Sequence, residues 1–279
     1  MRDIDVSIIT EHVEKMCIDS NYYIGKDIEK SFNNALEIEE NPLSKELFEI
    51  LLENSKIATE ESLPICQDTG MAIIFIEIGQ DVHFVGNLEN AINQGVRQGY
   101  EKGYLRKSVV KDPVNRVNTK DNTPAIIHYK IVEGDKVKIT VSPKGFGSEN
   151  MSRTKMLKPS ESIEGVKDFV IETVKIAGPN ACPPMIVGVG VGGNFEKSAI
   201  MAKEALLRDV GSKNHDEVWG DVEVELLERV NNLEIGIGGF GGKTTALAVH
   251  INSYPTHIAG LPVAVNIGCH VTRHNQVVI

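Results

Sequence analysis

The chain has 279 residues, a length that fits one large domain or two closely packed lobes. Its hydrophobic content of 41% and charged content of 24% are those of a soluble globular protein, whereas 5% of aromatic residues is low for a surface that stacks nucleic-acid bases. The formal net charge of −10 has the wrong sign for binding phosphate backbones or anionic membranes, so we expect neither nucleic acid nor a membrane as a partner.

Residues 1–60 are predicted to be helical. Apolar residues recur there at helical spacing on both sides of a break at Asn41-Pro42, namely Ile28, Phe32, Ala35, Leu36, Leu47, Ile50, Leu51 and Ile57. An apolar, β-branched run at residues 71–78 then predicts a buried strand, and residues 87–104 are typical of another helix.

The rest of the chain alternates between strands and helices. Residues 125–132 and 136–142 indicate a β-hairpin around a turn at 133–135, and a glycine-rich loop follows at 144–150. Helices are predicted over 161–177, 196–208 and 216–231, and strands over 185–191, 246–251 and 261–267. This order predicts a mixed α/β (α+β) fold in one domain over residues 1–279, without an obvious linker even if two lobes are present.

The four cysteines differ in their surroundings. Cys17 lies within a helical stretch, where a buried structural thiol is the ordinary interpretation. Cys66, Cys182 and Cys269 lie in loops broken by glycine or proline, and their spacing matches no zinc or ferredoxin pattern. The N-terminus resembles neither a secretory nor a transit peptide, and no apolar run reaches the roughly 18 residues of a membrane span. We therefore expect a cytoplasmic protein without structural disulfides.

Two glycine-rich motifs raise the question of nucleotide binding. Residues 188–193 satisfy G-x-G-x-x-G between a predicted strand and helix, as a dinucleotide-binding fingerprint requires. Such a unit needs another strand further on, but residues 216–231 are predicted to be helical, so we favour close packing of helix on strand. Residues 236–244 resemble a P-loop but carry Ile237 where that motif needs glycine. Two interpretations of residues 236–244 therefore stay open, a tight connection between two elements or a loop that binds an anion beside Lys243.

Several short strings, taken together, resemble one protein family. In chain order they are PICQDTG at 64–70, GSEN at 147–150, NACPP at 180–184, GGFGGKT at 238–244, HIAGLP at 257–262 and GCH at 268–270. They resemble the α-subunit of class I fumarate hydratase and of L-tartrate dehydratase, which are iron–sulfur hydro-lyases. The resemblance spans nearly the whole chain and implies an Fe–S hydro-lyase α-type catalytic domain, with helices and strands around a loop-bound cluster.

The resemblance also implies a set of site residues. One [4Fe–4S] cluster would be ligated by Cys66, Cys182 and Cys269, with one iron that no cysteine ligates. Such an iron acts as a Lewis acid on a substrate hydroxyl and a neighbouring carboxylate. The implied substrate-binding and catalytic groups are Gln67, Asp68 as an acid/base partner, Arg106 on a substrate carboxylate, the backbone N–H of Gly147, and His257.

The implied reaction is the reversible hydration of a small dicarboxylate. Fumarate to (S)-malate is the main interpretation, and dehydration of L-tartrate is the alternative. Two alternative functions lie outside this class. One is an NAD-dependent dehydrogenase that uses residues 188–193, and the other is a non-enzymatic iron–sulfur oxygen sensor. Single-chain members of the family continue into a smaller domain that adds cationic groups and a catalytic base, whereas this sequence ends at Ile279. We therefore expect a separate β-subunit that completes the site, in an αβ unit paired into α2β2.

Overall fold

The computed structural model describes residues 1–279 and contains eight α-helices and ten strands. The helices are α1 Val6–Tyr22, α2 Lys26–Ile38, α3 Pro42–Glu61, α4 Leu88–Lys102, α5 Phe146–Glu149, α6 Ser162–Ala177, α7 Phe195–Ala205 and α8 Glu217–Asn231. The strands are β1 Arg2–Asp5, β2 Met71–Gly79, β3 Val82–Val85, β4 Ile126–Val132, β5 Val137–Lys144, β6 Arg153–Leu157, β7 Met185–Gly193, β8 Ala246–Thr256, β9 Leu261–Gly268 and β10 Asn275–Val278. The predicted mixed α/β fold class is confirmed. No helix combines the length and the apolar composition that crossing a bilayer requires.

The chain divides into two compact units. The first unit contains Met1–Ile24, Asn54–Phe146 and Arg273–Ile279, and the second contains Gly25–Glu53 and Gly147–Thr272. Each unit has a hydrophobic core of its own.

The first unit is built on a four-stranded sheet in the order β10-β5-β2-β4. The central strand β2 runs antiparallel to β5 and parallel to β4. Ile74 and Ile76, two alternate residues of β2, are buried in a core that α1 and α4 share. These helices approach closely because α4 carries glycine at the contact: a Cβ at Gly95 would lie 2.6 Å from Thr10 O of α1. A short parallel pair, β1 and β3, completes the unit.

The predicted hairpin of residues 125–132 and 136–142 is wrong. β4 and β5 do flank the turn at 133–135, but they lie on opposite sides of β2 and do not pair with each other. The end of β2 occupies the space between them, where Gly79 N–H donates to Lys136 O (2.8 Å) and Gln80 N–H donates to Val132 O (2.8 Å). The apolar strand β2 is thereby paired on both edges and buried, which a local hairpin would have prevented.

The second unit is built on a sheet in the order β6-β9-β7-β8. The central strand β7 is parallel to β8 and antiparallel to β9. Val187, Val189 and Val191 of β7 lie in a core with residues of α6 and α8. Gly188 and Gly190 alternate with them and face α7 on the other side of the sheet.

The glycine motif at residues 188–193 lies within β7 and not in a strand-to-helix turn. A Cβ at Gly188 would collide with Ala202 O, and a Cβ at Gly190 would collide with Ser198 O, which are backbone oxygens of α7. The glycines therefore let the helix pack directly on the strand, which confirms the packing interpretation over dinucleotide binding. Residues 217–231 form helix α8, where a dinucleotide-binding unit would need a strand.

Periodicity located the long elements and missed the short ones. The helix predicted over 161–177 is Ser162–Ala177, and the one predicted over 87–104 is Leu88–Lys102. The unpredicted elements are β1, β3, β6, β10 and the single turn α5 within the loop predicted at 144–150. Each has four or five residues, too few for a repeating pattern to stand out.

Candidate active site

The loop between α3 and β2 carries Cys66, and buried groups hold its backbone. We call residues 65–70 the Cys66 loop. Arg273 Nη2 donates to Asp68 O (2.8 Å), and the Tyr100 hydroxyl donates to Thr69 O (2.7 Å). Arg273 and Tyr100 are both buried, and burial raises the pKa of the Tyr100 hydroxyl, which therefore stays a neutral donor. Hydrogen bonds that are shielded from water in this way hold the loop in one conformation.

Two backbone N–H groups orient the Asp68 carboxylate. Gly70 N–H donates to Oδ1 (3.1 Å), and Phe146 N–H donates to Oδ2 (2.8 Å). The Asp68 N–H in turn donates to Cys66 Sγ (3.4 Å), and Gln67 Oε1 lies 3.3 Å from the same sulfur. Gln67 is exposed, while Cys66 and Asp68 are half-buried. The structure thus groups three of the predicted site residues around one sulfur atom.

Arg106 lies in an irregular segment after α4 that is joined to the Cys66 loop. Thr69 Oγ1 donates to Arg106 O (3.0 Å). Asn122 Nδ2 donates to Gly70 O (3.1 Å), and Asn122 Oδ1 accepts from Ser108 N–H (2.7 Å). The Arg106 side chain is exposed, and its guanidinium makes no hydrogen bond or ion pair within the chain. An unpaired guanidinium next to this loop suits a ligand carboxylate.

In the second unit, Cys182 occupies a left-handed turn. It ends the 3-10 turn Gly178–Ala181 with φ +53° and ψ 64°, and its side chain is exposed. Its N–H donates to Pro179 O (3.0 Å), and its carbonyl oxygen accepts from His270 N–H (3.2 Å). Non-glycine residues rarely adopt this conformation, and those that do cluster at functional sites.

Strand pairing brings Cys269 to the same end of the sheet. β9 runs antiparallel to β7 with Gly268 opposite Ile186, so the end of β9 lies beside the start of β7. The hydrogen bond from His270 to the carbonyl oxygen of Cys182 joins the two cysteine turns directly. The structure therefore places two of the three predicted ligands in neighbouring turns.

Gly147 lies close to the Cys182 turn. A Cβ on Gly147 would be 3.9 Å from Asn180 O and would meet nothing else within 4 Å, so open space adjoins this position. The turn of α5 that contains Gly147 is anchored by Glu149, whose Oε1 accepts from Lys203 Nζ (2.6 Å) and whose Oε2 accepts from Asn266 Nδ2 (2.9 Å). These bonds tie α5 to α7 and β9.

The glycine-rich stretch at 236–244 packs against the Cys182 turn. Gly239 has φ +82°, and a Cβ on it would lie 2.5 Å from Pro179 Cγ. The ammonium group of Lys243 is paired with Glu40 (2.6 Å). These contacts favour the tight-connection interpretation, in which the glycines allow close approach to the turn.

His257 lies at the opposite end of the same sheet. It follows β8, whose last residue pairs with Gly193 at the end of β7, whereas Cys182 and Cys269 adjoin the end that contains Ile186. Seven residue steps of roughly 3.3 Å separate Ile186 from Gly193, a distance of about 23 Å. Within this unit the structure therefore does not bring His257 to the two cysteines.

The surroundings of His257 form an open cleft of about 640 Å³. The histidine is exposed, and its Nδ1 accepts from Ala259 N–H (3.2 Å). Lys197 and Tyr254 line the same cleft, with the Lys197 ammonium 5.2 Å from the centre of the Tyr254 ring. His257 is thus accessible from outside the chain.

The donor chemistry of the three loop cysteines fits an iron–sulfur cluster. No group of three or more His, Cys, Asp or Glu side chains lies together as a metal site, so the ligand set stays a prediction. Cys66 and Cys269 are half-buried and Cys182 is exposed, so iron can reach each sulfur atom. Cys17 is buried, and burial raises the pKa of its thiol to about 12. Because iron is held by thiolate, the three loop cysteines fit and Cys17 does not.

The residues that hold the Cys66 loop were not found from the sequence. Tyr100, Asn122 and Arg273 are buried polar side chains whose partners lie far away along the chain. No motif or period marks them. The only local signal is that Arg273 lies shortly after Cys269.

The chain is similar to known proteins over nearly its whole length. The family model described as fumarate hydratase (Fumerase) matches residues 10–278. A Methanocaldococcus jannaschii protein, provisionally named L(+)-tartrate dehydratase subunit alpha, is 39% identical over 272 residues, which are 95% of each chain. The L(+)-tartrate dehydratase subunit alpha of Escherichia coli K12 is 31% identical over 277 residues, 98% of this chain and 91% of its own. These matches confirm the resemblance found in the sequence strings, and the chain therefore belongs to the fumarate hydratase (Fumerase) family.

Proposed function

We propose that this chain is the α-subunit of a [4Fe–4S]-dependent hydro-lyase that reversibly hydrates fumarate to (S)-malate. The observation that carries the proposal is the family match across residues 10–278. A second candidate is the dehydration of L-tartrate, which the names of the M. jannaschii and E. coli relatives favour. Both reactions form or break a C–OH bond next to a carboxylate, so one set of groups could serve either substrate.

In this proposal Cys66, Cys182 and Cys269 hold the cluster. When bound, a cluster with one iron free of cysteine supplies a Lewis acid for the substrate hydroxyl and a neighbouring carboxylate. Hydroxide is a poor leaving group, and the proton on the adjacent carbon is weakly acidic. The protein must therefore also stabilise the negative charge that develops on the substrate.

Arg106 binds a substrate carboxylate. Its exposed guanidinium has no partner within the chain, and its planar fork can donate two parallel hydrogen bonds to a carboxylate. The backbone link from Thr69 holds the arginine segment beside Asp68 (3.0 Å from Thr69 Oγ1 to Arg106 O). Substrate orientation then depends on the protein backbone as well as on the side chain.

Asp68 acts as the acid/base partner in the reaction. Both of its carboxylate oxygens accept a backbone N–H, which orients the group while leaving lone pairs for a substrate or water proton. The exposed amide of Gln67 is placed to bind a substrate oxygen. Gly147, in the first turn of α5, offers an N–H without a partner inside its own helix.

His257 serves the site only if another chain supplies it. Its separation of about 23 Å from the end of the sheet that carries Cys182 and Cys269 is far beyond hydrogen-bond reach. Its exposure and its open cleft make it accessible to a second chain. The catalytic role that the family resemblance implies for His257 therefore requires an assembly.

The proposal includes a separate β-subunit, in an α2β2 complex in the cytoplasm. The names of the relatives, which call them alpha subunits, support a partner chain. A dicarboxylate needs cationic groups at both ends, and apart from the cluster iron the site residues assigned to this chain supply only Arg106. The partner would add the remaining cations and exclude water.

The test is anaerobic purification of the chain together with its candidate partner. Iron and sulfide content, the visible spectrum, fumarate hydration and L-tartrate dehydration are measured on the same sample. One [4Fe–4S] cluster per α-chain and turnover of fumarate support the main proposal, whereas faster turnover of L-tartrate selects the second candidate. A colourless protein that binds NAD would overturn both, and a cluster without turnover on either acid would favour the oxygen-sensor interpretation.

A further inference from the structure

The geometry points to Asn122 as a positioning residue that sets Arg106 relative to the Cys66 loop. This inference rests on the proposed function, in which Arg106 binds a substrate carboxylate and the loop carries Asp68. Asn122 does not touch the substrate. It acts through the two backbone segments that it joins.

The bonding of Asn122 is confined to those two segments. Its side chain is 0% exposed, and its backbone has φ +61°. Oδ1 accepts from Ser108 N–H (2.7 Å) and Val109 N–H (3.2 Å), while Nδ2 donates to Gly70 O (3.1 Å). A buried amide that uses both ends on backbone groups forms a rigid link, because each lost bond would leave a buried polar group unpaired.

The segment that carries Arg106 has little structure of its own. Between the end of α4 and the start of β4 there is no helix or strand, and its only regular pairing is an isolated bridge between Val110 and Asn118. Buried Leu105 and Val109 attach it to the unit. Its direct attachment to the Cys66 loop is made by two side-chain links, the Thr69 hydroxyl bonded to Arg106 O and the Asn122 amide.

The position of Arg106 is sensitive to these links. Its guanidinium has no hydrogen bond within the chain that would hold it when the backbone shifts. A misplacement of about 1 Å in a substrate-positioning group can cost roughly 100-fold in rate. Loss of the Asn122 link should therefore weaken substrate binding without removing any group that contacts the substrate.

The experiment compares two Asn122 variants with a matched control in the enzyme loaded with its cluster and its partner. Asn122→Gly removes all three bonds and suits the left-handed backbone. Asn122→Asp keeps the acceptor for Ser108 and Val109 but loses the donor to Gly70. The control is Thr10→Val, which removes a side-chain bond to Ala91 O (3.0 Å) between α1 and α4 of the same unit, outside the two segments.

We expect Asn122→Gly to raise KM for the dicarboxylate about tenfold or more while kcat falls less than about threefold, because binding of one carboxylate is lost in the ground and transition states alike. The KM of Asn122→Asp should lie between those of Asn122→Gly and the wild type. Iron content should be unchanged in both. Thr10→Val should stay within about twofold of wild type in kcat and KM, since its bond does not involve the site.

Two further measurements separate positioning from general stability. Hydrogen exchange should accelerate at the amides of residues 66–70 and 107–109 in Asn122→Gly and stay unchanged in the core of the unit. Thr69→Val removes the second link, so its effect on KM should be larger in the Asn122→Gly background than in wild type.

The outcomes distinguish this inference from the proposed function. Loss of iron, or faster exchange throughout the unit, or an equal fall of kcat and kcat/KM, would make Asn122 merely structural and overturn the inference. If the wild-type complex turns over neither fumarate nor L-tartrate, the proposed function fails. Hydrogen exchange in Asn122→Gly then tests by itself whether Asn122 links the two segments. Acceleration confined to the two segments then supports the link, and unchanged exchange overturns it.

Discussion

Burial separates Cys17 from the other three cysteines. The thiol lies at the contact of α1 and α4, where a Cβ at Gly99 would be 2.8 Å from Cys17 Cβ. Burial raises the pKa of this thiol to about 12, so it stays protonated at neutral pH. Helix packing therefore explains Cys17 completely, whereas no comparable packing role accounts for the exposed Cys182.

This contrast predicts which cysteines bind iron. Cys66→Ser, Cys182→Ser and Cys269→Ser should each lose the cluster, because a hydroxyl is a harder and poorer iron ligand than a thiolate. Cys17→Ser should keep its iron, although it buries a hydroxyl in the core. Iron per chain and visible absorption after anaerobic reconstitution are the measurements. Full iron in any one of the first three variants would contradict the ligand set.

His250 is a buried histidine that the candidate site does not use. It lies in β8, and its neutral ring donates Nδ1–H to Ala205 O (3.2 Å). Burial lowers its pKa from 6.5 to about 4, with a further contribution from Arg208 and an opposing one from Glu223. The folded chain therefore keeps this ring neutral at a pH where the unfolded chain protonates it.

Acid should destabilise the chain through His250. The stability contributed by the neutral ring is fully present above about pH 6.5 and is lost as the pH falls towards about 4, a loss of roughly 3 kcal/mol. His250→Asn keeps an N–H donor but takes up no proton in this range, so the free energy of unfolding should depend less on pH. His83→Asn, at an exposed histidine, is the control. Urea unfolding at several pH values measures the slope, and an unchanged slope in His250→Asn would exclude this role.

At the scale of elements, the contact of β7 with α7 depends on glycine. Gly190→Ala should lower the free energy of unfolding by about 1–3 kcal/mol or more, because the new Cβ would collide with a backbone oxygen of α7. The control is Gly220→Ala inside α8, where a Cβ meets only Asn214 Cβ at 3.7 Å. Alanine there should stabilise the helix by about 0.5–1 kcal/mol. Denaturant unfolding compares the two, and a neutral Gly190→Ala would contradict the close packing.

The sequence predicted most elements but not their pairing. Long helices and buried strands repeat an apolar pattern over enough residues to be recognised, as for Ser162–Ala177 and Met71–Gly79. The hairpin was wrong because two strands joined by a short turn usually pair, and nothing local reveals that β2 separates them. Which strands pair depends on the burial of the whole sheet, and a short stretch of sequence carries no information about that burial.

At the scale of the whole molecule, the sequence identified candidate site residues but not the groups that hold them. The strings around Cys66, Cys182 and Cys269 pointed to these residues because each string is contiguous. Asn122 and Tyr100 could not be found in this way, since they reach the Cys66 loop from distant parts of the chain. The distance of His257 from the two cysteine turns likewise follows from strand order, which the short sequence strings do not reveal.

The charge of the chain bears on how it could bind a dianion. With 29 Lys and Arg against 39 Asp and Glu, the molecule as a whole repels a dicarboxylate. Binding therefore needs cations concentrated at the site. Among the assigned site residues only Arg106 carries a positive side-chain charge at neutral pH regardless of its surroundings. Under the proposed function, one substrate carboxylate is thus left for the cluster or for another chain.

The last prediction follows from this shortage of cations. With its cluster reconstituted anaerobically, the α-chain alone should bind fumarate or L-tartrate weakly and turn them over at least about 100-fold more slowly than the mixture with its partner, because missing donors at a developing charge cost roughly that much. Adding the partner to a preformed α-chain should restore turnover at the stoichiometry of an αβ unit. An Arg106→Lys variant separates the contribution of Arg106 from that of the partner. It keeps the charge but loses the planar fork, so it should weaken turnover even with the partner present. Turnover by the α-chain alone within about tenfold of the mixture would mean that this chain completes the site by itself, and the partner would then have no catalytic role.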